Sequence, residues 1–263
     1  MEREYYFFEV VAAGFSVFFR KLLPVTAVSA VVAVLHIMIL PHTAGIINIL
    51  AQMLISALML SVIAILVEDT MLEGNTPFIK LLNRAGSRIW PVCFTMAMLV
   101  VAYFAIMFFH LATRVVVAAT GPVLGFIVAL LVLAVVLATL ISLVFTPHAA
   151  ILRGQMLGAV DYSIQVVADK KWAVFGTVLG IALVVGVPLV GITALLVIAR
   201  AAEELVLFTD IMFQSLAWVM LTVSFVNRDQ FKEEPNLNSA DRKDRYDHRD
   251  PVMADRFGGH PRP

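Results

Sequence analysis

The sequence predicts an all-α integral membrane protein. About six transmembrane helices are expected, as three parallel repeats of a cytoplasmic amphipathic helix followed by two spans. Three observations predict this. First, 61% of the 263 residues are hydrophobic and 14% charged, with a mean hydropathy of +0.93. A soluble domain of this length has no interior able to absorb so much apolar surface, so a bilayer must solvate much of it. Second, the apolar residues fall in runs of about 20, the length a spanning helix needs. Third, one short pattern returns. Lys21-Leu22-Leu23-Pro24-Val25 is repeated as Arg88-Ile89-Trp90-Pro91-Val92 and again, with Ala for Pro, as Lys170-Lys171-Trp172-Ala173-Val174.

Each copy opens an apolar run, and the residues before it also correspond. At 13, 10, 6 and 3 positions upstream of the basic residue stand Phe8, Val11, Phe15 and Phe18 in the first copy. Asn75, Phe78, Leu82 and Ala85 hold these positions in the second, and Leu157, Val160, Ile164 and Val167 in the third. Apart from Asn75 they are apolar at helical spacing, which predicts one sticky face per helix. The repeats cover about 5–67, 73–146 and 154–226, within a membrane domain of residues 1–227.

In chain order, residues 5–19 are too short and too interrupted to span. They read as an interfacial helix with Arg20 and Lys21 at the headgroups. The N-terminus shows no cleaved-signal pattern, so the first span is expected to act as its own insertion signal. That span runs from about Leu22 to Leu40, with Pro24 in its first turn, where a missing N–H costs nothing. A turn at Pro41–Gly45 leads to a second span, about Ile46 to Val67, ending at Glu68-Asp69. Thr76-Pro77 starts the next amphipathic helix. Lys80, Arg84 and Arg88 lie four apart along it, and Trp90 sits where interfacial aromatics belong. A third span covers roughly Pro91 to His110, and a fourth, after Gly121-Pro122, about Val123 to Thr146. Arg153-Gly154 leads into the third amphipathic helix, with Asp161, Gln165 and Asp169 polar. A fifth span follows from about Trp172 to Ile198, where Pro188 should kink it. The sixth runs from about Leu205 to Val226. Residues 228–263 are densely charged and poor in large apolar groups, so a disordered tail is expected, with Tyr246, His248 and Phe257 as its candidate binding points.

The basic residues Arg3, Arg20, Lys21, Lys80, Arg84, Arg88, Arg153, Lys170, Lys171 and the tail fall on one side; only Arg114 and Arg200 fall on the other. The positive-inside bias makes both termini cytoplasmic, as an even number of spans requires. The formal net charge of +0 argues against a nucleic-acid partner. Cys93 stands alone, which excludes an intrachain disulfide and a cysteine-built metal site.

No soluble catalytic signature is present: no G-x-S-x-G, H-E-x-x-H, P-loop or dinucleotide fingerprint. Glu203-Glu204 resembles the glutamate pair of intramembrane CAAX-type proteases. That pattern wants an Arg four residues after the second Glu, where Phe208 stands, and its downstream His motifs are missing. His36, His42 and His110 gather near one surface but lack ligand spacing, so no metal and no cofactor are expected. Inside the spans, Asp210 and Gln214 share one face of the sixth helix, and Asn48, Gln52 and Ser56 line the second. Polar groups at that depth normally face a bundle interior or a water-filled cavity. Two readings follow: an outward-facing polar pocket of Asp210, Gln214, Asn48, Gln52 and Arg200, or an Asp210–Arg200 pair that only holds helices together.

The stretches Glu73-Gly74 through Trp90-Pro91 and Arg153-Gly154 through Trp172 place a charged residue and Gly, an amphipathic helix, then a basic-aromatic step into the membrane. This resembles the membrane domain that accompanies some glycerophosphodiester phosphodiesterases, and its standalone prokaryotic relatives. The resemblance implies a location and an architecture; no phosphodiesterase catalytic domain is present, so that activity does not carry over.

The most regular pattern thus lies at the cytoplasmic interface, at Arg20, Lys21, Lys80, Arg84, Arg88, Trp90, Lys170, Lys171 and Trp172. It points to a non-enzymatic protein of a prokaryotic plasma membrane that organises or assists other membrane components. Its expected partners are membrane lipids and a second membrane protein. The alternative is a small-solute or lipid transporter using the Asp210 pocket.

Overall fold

The computed structural model describes residues 7–72, 74, 76–120, 122–154, 156 and 158–233. Among them nine α-helices follow in order: α1 (Phe7–Arg20), α2 (Leu22–Ile39), α3 (Gly45–Met71), α4 (Phe78–Thr120), α5 (Pro122–Leu143), α6 (Thr146–Arg153), α7 (Gly158–Val167), α8 (Lys171–Ile198) and α9 (Glu203–Glu233). Single 3₁₀ turns, Leu40–His42 and Ala168–Lys170, extend α2 and lead into α8. Five segments are long and apolar enough to cross a bilayer: Leu22–His42, Gly45–Met71, Phe126–Arg153, Lys171–Ile198 and Glu203–Asp229. The chain is an all-α protein of the membrane-embedded kind. The third expected span, 91–110, falls on α4, where the side chains of residues 102, 103, 105, 106, 109 and 110 lie outside the described set. The tail after residue 233 lies outside it too, with Tyr246, His248 and Phe257.

The three basic junctions are closer to continuous helix than the sequence suggests. Between α1 and α2 only Lys21 departs from helical geometry, and the Val25 N–H still donates to the Lys21 carbonyl at 3.0 Å. α4 runs unbroken through Pro91, where a fresh helix start was expected. No glycine in a left-handed conformation and no capping side chain interrupts Arg88–Trp90. The ring instead frees one carbonyl at a depth where water reaches it. α8 likewise continues through Pro188. At the far end α9 keeps its helix to Glu233, past the expected start of the tail, with Asn227, Arg228 and Asp229 buried.

Packing is concentrated at the end carrying the basic residues. There most of α3 from Ile55 to Val67, α6 from Thr146 to Leu152, and most of α9 from Val219 to Asp229 are buried. α9 lies against α1, α2, α3 and α8; α3 also packs on α4 and α6, while α5 packs on α4, α7 and α8. At the opposite end fewer residues are buried: Ile46, Ile47 and Leu50 of α3 and Val187, Val190, Leu195 and Ile198 of α8 are exposed.

The recurrent apolar positions divide between the protein and the outside: Val11 and Phe15 are half-buried against the core, and most of the fully buried residues are others. In α1 these are Val10, Gly14, Val17 and Phe18, while Phe8 is 80% exposed. In α4 ahead of Arg88 they are Leu81 and Ala85, with Phe78 and Leu82 outward; in α7 they are Ala159, Ser163 and Val167, with Ile164 outward. Only the position three before the basic residue is buried in all three, as Phe18, Ala85 and Val167. The reason is the solvent. Hydrocarbon is as apolar as Phe or Leu, so large side chains gain little by leaving it, whereas small ones let backbones approach. Gly14 shows the closeness: a Cβ there would come within 2.6 Å of Met220 Cγ.

Within the repeated pattern itself, exposure recurs. Leu23, Trp90 and Trp172 are 83%, 77% and 83% exposed, while Val25, Val92 and Val174 two residues on are 1%, 0% and 0% exposed.

Candidate functional site

The polar residues expected to form an outer pocket are satisfied locally. Gln52 Nε2 donates to Asn48 Oδ1 at 2.9 Å and Gln214 Nε2 to Asp210 Oδ2 at 2.8 Å, each within one helix turn. Among the described residues no hydrogen bond or ion pair joins the α3 pair to the α9 pair, and Asp210 makes no ion pair with Arg200. Arg200 is exposed with φ at 52°, in the turn that ends α8. The described histidines do not converge: His36 Nδ1 bonds the Val32 carbonyl at 2.9 Å, and His42 is exposed. His110 has its side chain outside the described set. No group of three or more potential metal ligands occurs among the described residues.

The interfacial set divides into two kinds. Arg20, Lys80, Lys170, Lys171, Trp90 and Trp172 are exposed, and Lys21 is half-buried. Arg84 is exposed as well and Arg88 half-buried, and both reach a junction to which five helices contribute.

That junction begins with α6. Thr146-Pro147 supplies a proline in the first turn of a helix, the same signal as Thr76-Pro77, and Gly154 closes it at φ +67°. The left-handed cap leaves Arg153 in the last turn, where its Nη2 donates to Asp229 Oδ2 of α9. Tyr162 of α7 donates its hydroxyl to the other oxygen, Oδ1, of the same carboxylate. The Arg153 guanidinium also lies 5.8 Å from the Tyr162 ring centre, a cation–π contact. On the neighbouring side Arg84 Nη2 of α4 forms an ion pair with Glu68 Oε2 of α3 at 2.8 Å. Asp69 Oδ1 accepts from Thr76 Oγ1 at 2.6 Å. Arg88, one turn beyond Arg84, lies over the α-carbon of Gly154, where any Cβ would overlap its guanidinium.

Beside the junction His148 is completely buried. Its ring centre lies 6.1, 6.0 and 5.9 Å from those of Phe145, Trp218 and Phe225. Neither ring nitrogen finds a hydrogen-bond partner among the described residues.

The junction brings together residues that sequence reasoning had scattered. Glu68 stood as the end of a span, Arg153 as an orientation marker and Asp229 as the start of the tail; Tyr162 and His148 carried no role. The recurrence of Thr-Pro at 146–147 was the available signal for α6. Chemically, the cluster can lock helices in register and present guanidinium donors to an anion. Compared with protein families, curated proteins and solved structures, the chain matches none.

Proposed function

We propose that this chain is a non-enzymatic multi-pass protein of a prokaryotic plasma membrane, with cytoplasmic termini, that organises or assists other membrane components from its cytoplasmic face. The observation carrying the reading is the concentration of ordered chemistry at the basic end. The ion pairs and most of the buried residues lie there, while the opposite ends are more exposed. The lysine and arginine distribution supports the orientation, and the family resemblance is in keeping with the location.

A three-fold repeat is part of the proposal. It is supported by the matched exposure of Leu23, Trp90 and Trp172 and the matched burial of Val25, Val92 and Val174. The order of packing supports it as well. The second span of each unit meets the first helix of the next: α3 on α4, α5 on α7, and α9 back on α1. Such closure is what a parallel pseudo-threefold ring requires.

The test is native mass spectrometry of the full chain extracted gently from its own membrane. A stoichiometric second polypeptide, released by Lys80→Glu with Lys171→Glu, is the expected result. These two lysines are exposed, so the double variant alters the surface without opening the core. A bare chain, or a partner held equally by the variant, would sink the scaffold reading.

The polar Asn48–Gln52 and Asp210–Gln214 pairs within apolar segments favour one further reading, a small-solute or lipid transporter that uses them. It requires that a solute or lipid raise the melting temperature in detergent and that Asp210→Asn abolish the rise. No rise with any compound, or a rise unchanged in the variant, disposes of it.

A further inference from the structure

We propose that Arg88, seated on Gly154 and assisted by Arg84, forms a phosphate-oxyanion site that takes the headgroup of an anionic phospholipid. The inference rests on the reading that the basic end faces an anionic leaflet, and it names the ligand of that face.

The arginines of the junction are not equivalent. Arg153 is bound to Asp229, and Arg84 is held at one Nη by Glu68 while 44% of its side chain stays exposed. Asp69 is occupied by Thr76. Arg88 is half-buried, yet among the described residues its guanidinium makes no hydrogen bond and no ion pair. A guanidinium carries five N–H donors in a planar fork, and leaving them without acceptors in a half-buried seat is unfavourable.

The seat itself is specific. The left-handed cap of α6 is a glycine, and the absence of a Cβ is what makes room for the Arg88 head. The carbonyl end of α6 draws a cation to this spot, but it leaves the fork without a bonded acceptor. Arg84 lies one turn away along the same side of α4. Exposed Lys80 continues the same face for another turn.

Depth selects the source of the phosphate. Trp90, two residues further into the apolar run and 77% exposed, marks the level where interfacial aromatics meet headgroups. Arg88 therefore lies where lipid phosphates lie. Basic sites between helices at a cytoplasmic boundary are a recurrent means of holding anionic lipid, and the planar fork suits two phosphate oxygens at once.

The experiment uses the full chain in a neutral detergent. Thermal unfolding and native mass spectrometry are recorded with added phosphatidylglycerol, phosphatidylcholine, or inorganic phosphate. Phosphatidylglycerol should raise the melting temperature and remain bound, and phosphatidylcholine should do neither. Arg88→Gln should weaken phosphatidylglycerol binding by about tenfold or more, the scale of losing hydrogen bonds to a charged group. Arg114→Gln, at an exposed basic residue of the opposite end, should leave binding unchanged. If Arg88→Gln does not fold, Arg88→Lys carries the test, because it keeps the charge and removes the fork; several-fold weaker binding is expected. Equal phosphatidylglycerol retention in the wild type and the Arg88 variants would overturn the site. Inorganic phosphate alone producing the full stabilisation would overturn the lipid source. Missing second polypeptides with phosphatidylglycerol still retained would count against the scaffold reading and leave this site standing.

Discussion

Two glycines with positive φ permit a paired test of the junction. Gly45 has φ +58° and nothing within 4 Å of where a Cβ would stand; Gly154 has φ +67° and the Arg88 guanidinium in that place. Alanine at either position forces an L-residue into the left-handed region, at about 1–2 kcal/mol. At Gly45 that strain is the whole effect. At Gly154 Arg88 must also swing away. The movement of a flexible head is itself cheap, but it takes a cation from the carbonyl end of α6, worth about 0.3–1 kcal/mol more. With about 2–4 °C per kcal/mol in a chain of this size, Gly154→Ala should melt below Gly45→Ala by roughly 1–4 °C. Differential scanning fluorimetry on the Cys93 thiol or intrinsic tryptophan fluorescence in detergent reads the difference. Phosphatidylglycerol retention, measured on the same samples, should fall only in Gly154→Ala. Equal melting and equal retention would show that Arg88 does not rest on Gly154.

Other substitutions probe neighbouring elements by the same assay. Asp229→Ala removes the shared acceptor of Arg153 and Tyr162; breaking a buried pair costs about 3–5 kcal/mol, and the lower end is expected because 30% of the Arg153 side chain is exposed. Tyr162→Phe deletes one hydrogen bond to the same carboxylate and should cost less; the reverse order would refute the arrangement. Val25→Ala, Val92→Ala and Val174→Ala should each cost about 1–2 kcal/mol, with Trp90→Ala and Trp172→Ala within about 0.5 kcal/mol of wild type. A wide spread among the three valines would break the equivalence of the copies. His148→Phe should hold or raise stability by about 1–3 kcal/mol, since both ring nitrogens are buried without partners. A clear drop would reveal an acceptor or donor that the ring depends on.

Much of the helical order was legible in the sequence because runs of about 20 apolar residues allow few alternatives. Leu22–Ile39, Gly45–Met71 and Lys171–Ile198 bracket the expected spans closely. What apolar spacing did not tell was which side of each leading helix meets the protein. Apolar periodicity marks the protein-facing side of a helix in water, but in hydrocarbon it distinguishes nothing. The informative residues in α1 and α7 were Gly14, Ala159 and Ser163, not Phe8 or Ile164. The charged junction was hidden for a different reason. Its members come from α3, α4, α6, α7 and α9, and no local spacing relates Glu68 to Arg84 or Arg153 to Asp229. Asp229 was further disguised by the polar composition after Val226, which reads as the start of a tail although the helix continues through it.

The depth of the junction follows from the energetics of charge. An ion pair deep in hydrocarbon loses more hydration than its attraction returns, whereas a pair in bulk water is worth little. At the boundary, side chains such as Glu68, 18% exposed, and Asp229, 11% exposed, keep part of their hydration while their partners are held by packing. Helices joined there gain register without carrying an uncompensated charge into the bilayer. The same argument explains the asymmetry between the two ends. Asp210 lies within the α9 segment that can cross the bilayer, and its hydrogen-bonded partner is the amide of Gln214. Among the described residues it pairs with no cation that would make it a fastening of the same kind. The basic end is therefore where ion pairs can fix the helices relative to one another.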